Sequence, residues 1–270
     1  MIIDFHTHIY PEKIAEKTID FLLDKIPYED KKVSTNGTVE GLLDSMKKSN
    51  IDYSVTLPVV TSPKQFDSIN RFAVEVKDTH GIISFGGIHP DNDNFEEKLD
   101  YIKQSGLKGI KLHPDYQNVY IDDKRYIDII RYCSEIGLKV IIHAGIDVGL
   151  PTPVHCPPEK ALKMINEVEA DKKDPFIILA HMGGWMMQED VKKMLCKKNV
   201  FFDTGYCLDK YSDKDLKDII NLHGADKILF ATDAPWGDQK QYVDNLLKLN
   251  LGDDTTEKIL SLNAKRLLDI

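Results

Sequence analysis

The first eight residues of the chain read MIIDFHTH, a short apolar run followed by two histidines, His6 and His8. Seven more apolar runs follow along the 270-residue chain. Most are nearly continuous stretches of Val, Ile, Leu and Phe, a pattern typical of strands that are buried on both faces, as in a parallel sheet. The eight predicted strands cover residues 2–5, 53–58, 82–87, 109–112, 140–142, 176–180, 200–202 and 228–231.

Most segments between these runs are long enough to hold a helix, and several end at glycine, which favours helix termination. The predicted helices cover residues 39–48, 69–77, 95–104, 127–136, 159–168, 190–196 and 256–268. Eight alternations of strand and helix predict an α/β fold, a single-domain (β/α)8 TIM barrel over residues 1–270. The segment 9–37 is too long for a simple connection, so we predict an insertion with an extra helix at 14–23 that serves as a lid.

Composition and charge exclude several classes of protein. With 42% hydrophobic and 29% charged residues, the chain has an ordinary globular composition rather than a disordered or collagen-like one. Its net charge of −9 disfavours binding to a nucleic-acid backbone. No run approaches the ~18 apolar residues of a membrane span, and the start lacks a signal-peptide pattern. We therefore expect a cytoplasmic protein without nucleic-acid or membrane partners, whose four cysteines are reduced thiols.

Polar residues cluster where the predicted strands end. Six of the nine histidines and one aspartate follow apolar runs, and the carboxyl ends of barrel strands share one face, where active sites are built. These residues are His6, His8, His89, His113, His143, His181 and Asp233. They are therefore expected to converge on one concave surface at the carboxyl ends of the strands, which we call the cup.

The pair His6 and His8 suggests a metal site, because side chains two residues apart on a strand share a face and two imidazoles can reach one ion. His143 and Asp233 follow strongly apolar runs, and a buried carboxylate there needs a cation or a metal. Simpler alternatives stay open: hydrogen-bonded core histidines, and Asp233 as a helix N-cap. His181 is a candidate ligand or general base.

Further residues are assigned to substrate binding or support. Lys111 and His113 share a face, so Lys111 could hold a substrate carboxylate, bridge two metals if carbamylated, or lie at the barrel rim. Trp236, with Trp185 and Tyr10, could form the cavity wall. By parity with His6, Asp4 is expected to point inward and orient a ligand. Solvent exposure is expected for the remaining histidines, His80, His155 and His223.

This pattern resembles the amidohydrolase superfamily, whose signature is His-x-His after strand 1, single histidines after strands 5 and 6, and Asp after strand 8. It is most similar to the small single-domain branch that includes metal-dependent hydrolases and aminocarboxymuconate semialdehyde decarboxylase-like enzymes. The segments 109–114 (GIKLHP), 179–184 (LAHMGG) and 263–268 (NAKRLL) support the resemblance.

The resemblance implies one divalent metal, usually zinc, held by His6, His8, His143 and Asp233, with a second metal left open. His181 would be the catalytic base or a ligand of that second metal. In relatives with two metals, a carbamylated lysine or a glutamate ends strand 4, and Lys111 lies two residues before His113.

Two reactions fit these residues. As a hydrolase, the protein would activate water to cleave a small amide, lactone or ester, with Asp233 taking the proton of the water and His181 assisting. As a non-oxidative decarboxylase, it would act on an aromatic or unsaturated carboxylic acid. A non-catalytic barrel would require a lost ligand, and none is lost. We favour hydrolysis of a small, anionic substrate, and leave a homo-oligomer open.

Overall fold

The structure is a computed structural model that describes residues 1–27, 32–172, 174 and 176–270. Its strands form two all-parallel sheets, in the orders β1-β2-β3 and β4-β5-β6-β7-β8-β9. The strands are β1 (Ile3–Thr7), β2 (Tyr53–Thr56), β3 (Ile82–Ser84), β4 (Gly86–Gly87), β5 (Gly109–Leu112), β6 (Lys139–Ile142), β7 (Ile177–Leu179), β8 (Phe201–Asp203) and β9 (Ile228–Leu229).

The two sheets close into one barrel. Only Phe85 separates β3 from β4, so these two strands correspond to the third predicted run. At the other junction, Phe5 N donates to Phe230 O at 2.9 Å, and Thr7 pairs with Ala234 in a parallel bridge. The predicted (β/α)8 TIM barrel is therefore confirmed.

Helices follow the strands and cover the barrel. They are α1 (Glu12–Lys25), α2 (Val39–Ser49), α3 (Phe66–Val76), α4 (Phe95–Gln104), α5 (Pro114–Gln117), α6 (Lys124–Ile136), α7 (Pro158–Glu167), α8 (Gln188–Met194), α9 (Asp213–His223), α10 (Gln239–Lys248), α11 (Asp253–Glu257) and α12 (Asn263–Leu268). The predicted insertion helix is α1, whereas residues 28–31 of the insertion lie outside the described residues. None of the described helices combines the length and apolar character that a membrane span requires.

Two apolar layers explain why the strand sequences are nearly continuous in hydrophobicity. One layer fills the barrel interior with side chains from most strands, namely Ile3, Phe5, Val55, Phe85, Ile141, Ile178, Phe201 and Leu229. The other lies between the strands and the surrounding helices. The strands β6, β7, β8 and β9 contribute to both layers, so neighbouring residues along them are apolar. In β1 and β2 the apolar residues alternate with buried polar ones such as Asp4, Ser54 and Thr56.

The expectation for Asp4 is wrong. Its neighbours Ile3 and Phe5 pack in the barrel interior, whereas the Asp4 carboxylate lies on the other side of β1 and accepts hydrogen bonds from Thr232 and from Gln239 of α10. The register of β1 against β2 shifts between Asp4 and Thr7. The expectation assumed that residues two apart on β1 point to the same side. The bulge interrupts this alternation, so His6 reaches the cavity although Phe5 points inward.

Two histidines that were expected to be exposed are buried. His155 is buried against Asp115, whose Oδ1 lies 3.1 Å from the His155 Nδ1. His223 stacks on Phe202 at 3.8 Å, accepts the Lys197 N–H at Nδ1 and donates from Nε2 to Val200 O. Both contacts use polar groups far away in sequence, which a residue-by-residue reading cannot anticipate.

The environment of His223 predicts a loss of stability in acid. Burial, together with the nearby charge of Lys227, lowers its pKa from 6.5 to about 4. A proton on Nδ1 would also break the hydrogen bond from Lys197. The unfolded chain therefore binds this proton more readily, and the stabilisation present above pH ~6.5 is lost as the pH falls toward 4. Relative to His223→Gln, the wild type should lose on the order of 2 kcal/mol more unfolding free energy between pH 7 and pH 4. Urea titrations measure this difference.

The exposed His80 provides the control, since His80→Gln should follow the wild-type pH dependence. Parallel acid destabilisation of the wild type and His223→Gln would contradict the prediction.

Candidate active site

The carboxyl ends of the strands open into a cavity of about 750 Å³. Among its lining residues are six of the seven strand-end residues singled out in the sequence: His6, His8, His113, His143, His181 and Asp233. His89 is not among them; it lies apart, accepting the Asp91 N–H at Nδ1. Lys111, Trp236, Trp185 and Tyr10 also line the cavity.

Three donor atoms meet at the base of the cavity. His6 Nε2 lies 3.2 Å from His8 Nε2 and 3.3 Å from Asp233 Oδ1, and His8 Nε2 lies 3.1 Å from the same Asp233 oxygen. Ligand atoms held at 2.0–2.1 Å around a tetrahedral zinc ion lie about 3.3–3.4 Å apart. The triangle therefore has the size of one face of a metal coordination shell.

The outer nitrogens fix which atoms of the histidines face the centre. His6 Nδ1 lies 2.9 Å from Asp203 Oδ2, and His8 Nδ1 lies 2.7 Å from Leu57 O. A carbonyl or carboxylate oxygen accepts, so each Nδ1 carries the proton and each Nε2 presents a lone pair. Histidines that bind metals usually have such an acceptor behind them.

Two further imidazoles adjoin this triangle. His181 Nδ1 donates to Gly205 O at 2.8 Å, so its Nε2 lone pair faces inward, 3.0 Å from His143 Nδ1. His181 contributes to a cluster of potential ligand atoms with His6 and Asp233. His143 Nε2 is buried without a hydrogen bond from the described residues and points toward Asp115 Oδ2 at 3.9 Å. Either His143 Nδ1 donates to His181 Nε2 across this 3.0 Å contact, or the proton lies on His143 Nε2 and Nδ1 presents a lone pair to an ion.

The charges at the base of the cavity suit a cation. Burial lowers the pKa of His6 well below its usual value, so this imidazole is neutral. Burial alone would raise the pKa of Asp233, but its surroundings, His6 and His8 foremost, lower it to about 2. A neutral His6 cannot supply the positive charge that this low pKa requires, and the ammonium beside it, that of Lys111, faces two carboxylates, Asp203 and Asp233. The donor set therefore fits a divalent metal ion better than it fits a hydrogen-bonded core.

Lys111 adds an ammonium to the same place. Its side chain is buried, with Nζ 3.1 Å from His6 Nε2, so it points into the cup rather than lying at the barrel rim. Burial lowers its pKa to about 8, opposed by the carboxylates of Asp203 and Asp233. Lys111 is thus still largely cationic at neutral pH.

A second group of donors, His113, His143 and Asp147, does not form a comparable metal site. The rings of His113 and His143 stack at 4.2 Å with an angle of 10° between their planes. Imidazole binds a metal in its own plane, and an ion between two parallel rings would lie out of both planes. Tyr116 N–H donates to His113 Nδ1, so His113 Nε2 carries the proton and faces Asp147 Oδ2 at 3.5 Å. His113 is therefore an N–H donor in the cavity wall.

The sequence analysis missed Asp203, although this residue ends β8, the seventh predicted run, just as Asp233 follows the eighth predicted run. It is fully buried, holds His6 through Oδ2 and accepts the backbone N–H of His181 and Gly205 through Oδ1. The rule that located the other site residues would also have found Asp203. Asp115 and Asp147 carry no comparable sequence signal, since they lie in connections after strands.

Two of the converging residues have unusual backbone geometry. Asp233 has φ of 64° and His181 has φ of 59°, in the left-handed region that non-glycine residues rarely adopt. Such conformations cost about 1–3 kcal/mol each and concentrate at functional sites. Both therefore hold their side chains in place at the expense of stability.

The donor triangle predicts a metal stoichiometry. Purified protein should carry about one equivalent of a divalent metal, since three lone pairs meet at one point. His6→Ala combined with His8→Ala should abolish binding, as measured by elemental analysis after dialysis. His113→Asn should keep the metal, because His113 presents a proton rather than a lone pair.

The exposed His80 offers a control, and His80→Ala should retain full metal content. If the double variant keeps its metal, or if His113→Asn loses it to the same extent, the assignment of the centre is wrong.

Comparisons with known proteins agree with the barrel fold. Three solved structures resemble the chain in fold. A TIM-barrel protein of Bordetella bronchiseptica has 19% identity and a TM-score of 0.76, and the match covers 99% of this chain and 98% of that one. The 5-carboxyvanillate decarboxylase LigW of Sphingomonas paucimobilis has 15% identity, a TM-score of 0.71 and coverages of 100% and 99%, and a dihydroxybenzoic acid decarboxylase of Polaromonas with bound manganese and 2-nitroresorcinol has 16% identity, a TM-score of 0.68 and coverages of 99% and 96%. No curated protein matches the sequence.

The family assignment rests on the sequence itself. The amidohydrolase family model matches residues 3–270, nearly the whole chain. This match covers all the strands and every residue of the donor triangle. The chain therefore belongs to the amidohydrolase family.

Proposed function

We propose that the protein is a zinc-dependent hydrolase that cleaves a small amide, lactone or ester bearing a carboxylate. The observation that carries this proposal is the triangle of His6, His8 and Asp233, whose atoms lie 3.1–3.3 Å apart. We assign His143 Nδ1 as the fourth ligand and His181 as a catalytic group. A divalent ion at this point would lower the pKa of a water molecule to about 7 and polarise a carbonyl oxygen.

The side chains around the triangle suit proton transfer. Asp233 is an ionised carboxylate at neutral pH, and its Oδ2 accepts no hydrogen bond from the described residues. It can take a proton from the attacking water and return it to the leaving group. His181 Nε2 offers a second proton acceptor beside it. Lys111 Nζ and His113 Nε2–H can bind a substrate carboxylate or the developing oxyanion.

A decarboxylase is the second candidate, and a specific observation favours it. Trp185, Trp236 and Tyr10 line the cavity, together with Tyr116 and Tyr206, and would offer flat walls to an aromatic acid. Two structures of similar fold are named as decarboxylases of aromatic acids, one of them with manganese. In this reaction the same cations would hold the carboxylate before CO2 leaves.

One assay separates the two reactions. Zinc-loaded protein is incubated in H2¹⁸O with a panel of small esters, lactones and amides, and separately with hydroxybenzoates and unsaturated acids. We expect a hydrolysis product that contains ¹⁸O, and no CO2 release above the background of the metal-free protein. Release of CO2 without any hydrolysis, with one solvent proton at the vacated carbon, would overturn the proposed reaction and favour the alternative.

Asp233→Asn tests the proton-transfer role. The amide keeps the shape of the carboxylate but cannot accept the proton, so kcat should fall by at least about 100-fold while the protein stays folded. Metal content is measured in parallel, and turnover is compared at saturating zinc. The exposed Asp20→Asn on α1 is the charge-matched control and should have normal kcat. Near-normal turnover of a folded, metal-loaded Asp233→Asn would remove this residue from the mechanism.

A further inference from the structure

The cavity has a second cationic point, in a more exposed part of its wall than Lys111. Lys25, near the end of α1, lines the cavity, and Lys25 and Lys111 are the only lysine or arginine side chains among the described lining residues. Lys111 is almost fully buried beside His6, whereas Lys25 is half-buried. The two ammonium groups are thus placed at different depths of one cavity.

Aromatic rings hold the Lys25 ammonium in place. Its Nζ lies 4.6 Å from the centre of the Phe21 ring and 5.1 Å from that of Tyr116. Such contacts fix an ammonium without neutralising its charge. Lys25 forms no ion pair with the described residues, so its N–H groups are available to an anion in the cavity.

Ring contacts connect this ammonium to the base of the cavity. Tyr116 packs edge-to-face on His113 at 4.5 Å between ring centres, and His113 stacks on His143 at 4.2 Å. One ring, that of Tyr116, therefore lies between the Lys25 ammonium and the His113 ring. A substrate that carries a ring or a short acyl chain between its two polar ends would follow this stretch of the cavity wall.

The space between the two cations is apolar on the side of α1. Ile14, Thr18, Phe21, Leu22 and Lys25 line the cavity at helical spacing, while Ala15 and Ile19 of the same helix are buried elsewhere. Ile14 is 49% exposed and Phe21 is 58% exposed, although both lie on the cavity-facing stripe. The described residues leave this apolar stripe uncovered, so it suits the body of a bound substrate.

We propose that Lys25 and the cavity-facing stripe of α1 form a distal subsite, which selects substrates that carry a carboxylate remote from the reacting carbonyl. The apolar stripe contacts the body of the substrate and Lys25 pairs with its distal carboxylate. This inference rests on the proposed function for the identity of the reacting group, but the subsite itself can be tested without turnover.

Two dyes of similar shape and different charge test the subsite in the folded, metal-loaded protein. The anionic dye is 8-anilino-1-naphthalenesulfonate, and its uncharged counterpart is N-phenyl-1-naphthylamine. Lys25→Met should raise the Kd of the anionic dye about tenfold and leave that of the neutral dye unchanged, whereas Lys25→Arg should stay within about twofold of the wild type. Phe21→Ala should weaken both dyes, because both use the apolar stripe.

Lys17→Met is the matched control, since Lys17 is an exposed lysine of the same helix that does not line the cavity. An unchanged Kd for the anionic dye in Lys25→Met, or an equal loss in Lys25→Met and Lys17→Met, would overturn the subsite.

The hydrolysis of a charged and an uncharged ester tests the subsite through KM and kcat. In Lys25→Met, KM for mono-4-nitrophenyl glutarate should rise about tenfold, while KM for the uncharged 4-nitrophenyl pentanoate and both kcat values should stay near those of the wild type. A rise in KM that is equal for both esters would overturn the role of Lys25 in charge selection. If neither ester is hydrolysed, the proposed reaction is in question and the dye measurements alone decide the subsite.

Discussion

The rest of the structure depends on the contact between β1 and the chain that leaves β9, residues 230–234, which we call the seam of the barrel. His8 N donates to Ala234 O at 2.6 Å, and Asp233 N donates to His6 O at 2.8 Å. These bonds close the barrel and, by the same geometry, bring His6 and His8 to Asp233. Asp4 secures the seam from outside, where its carboxylate accepts hydrogen bonds from Thr232 and Gln239. Barrel closure and assembly of the site are therefore one event.

The chemistry of the site follows from how each imidazole is supported. His6, His8 and His181 each donate from the outer nitrogen to a fixed oxygen, whereas His143 Nε2 has no hydrogen bond from the described residues. The lone pairs directed at the centre are then a consequence of the scaffold rather than of the ion. A metal ion bound here would find most of its proposed ligands already oriented, which lowers the cost of rearrangement.

The barrel and the cup could be predicted because they depend on local patterns. Apolar runs buried on both faces, each ending in a polar residue, specify both the parallel strands and the face where their ends meet. Asp4 was placed wrongly because a bulge in β1 depends on pairing with β2, which parity within one strand cannot reveal. His155 and His223 are buried through partners far along the chain. Lys25 gave no signal, because its role depends on where α1 lies over the cavity.

Closure of the barrel across the seam has a consequence for how the protein matures. Asp4 and Thr232 are joined by hydrogen bonds although they lie 228 residues apart, and bringing such distant segments together carries a large loop-closure entropy cost. The proposed ligands come from both sides of the seam, so a partly folded chain lacks a complete coordination shell. An ion that binds only the closed barrel shifts the folding equilibrium toward it, in proportion to the logarithm of the free metal concentration. Metal supply in the cell would then govern how much of this protein persists as well as how fast it turns over.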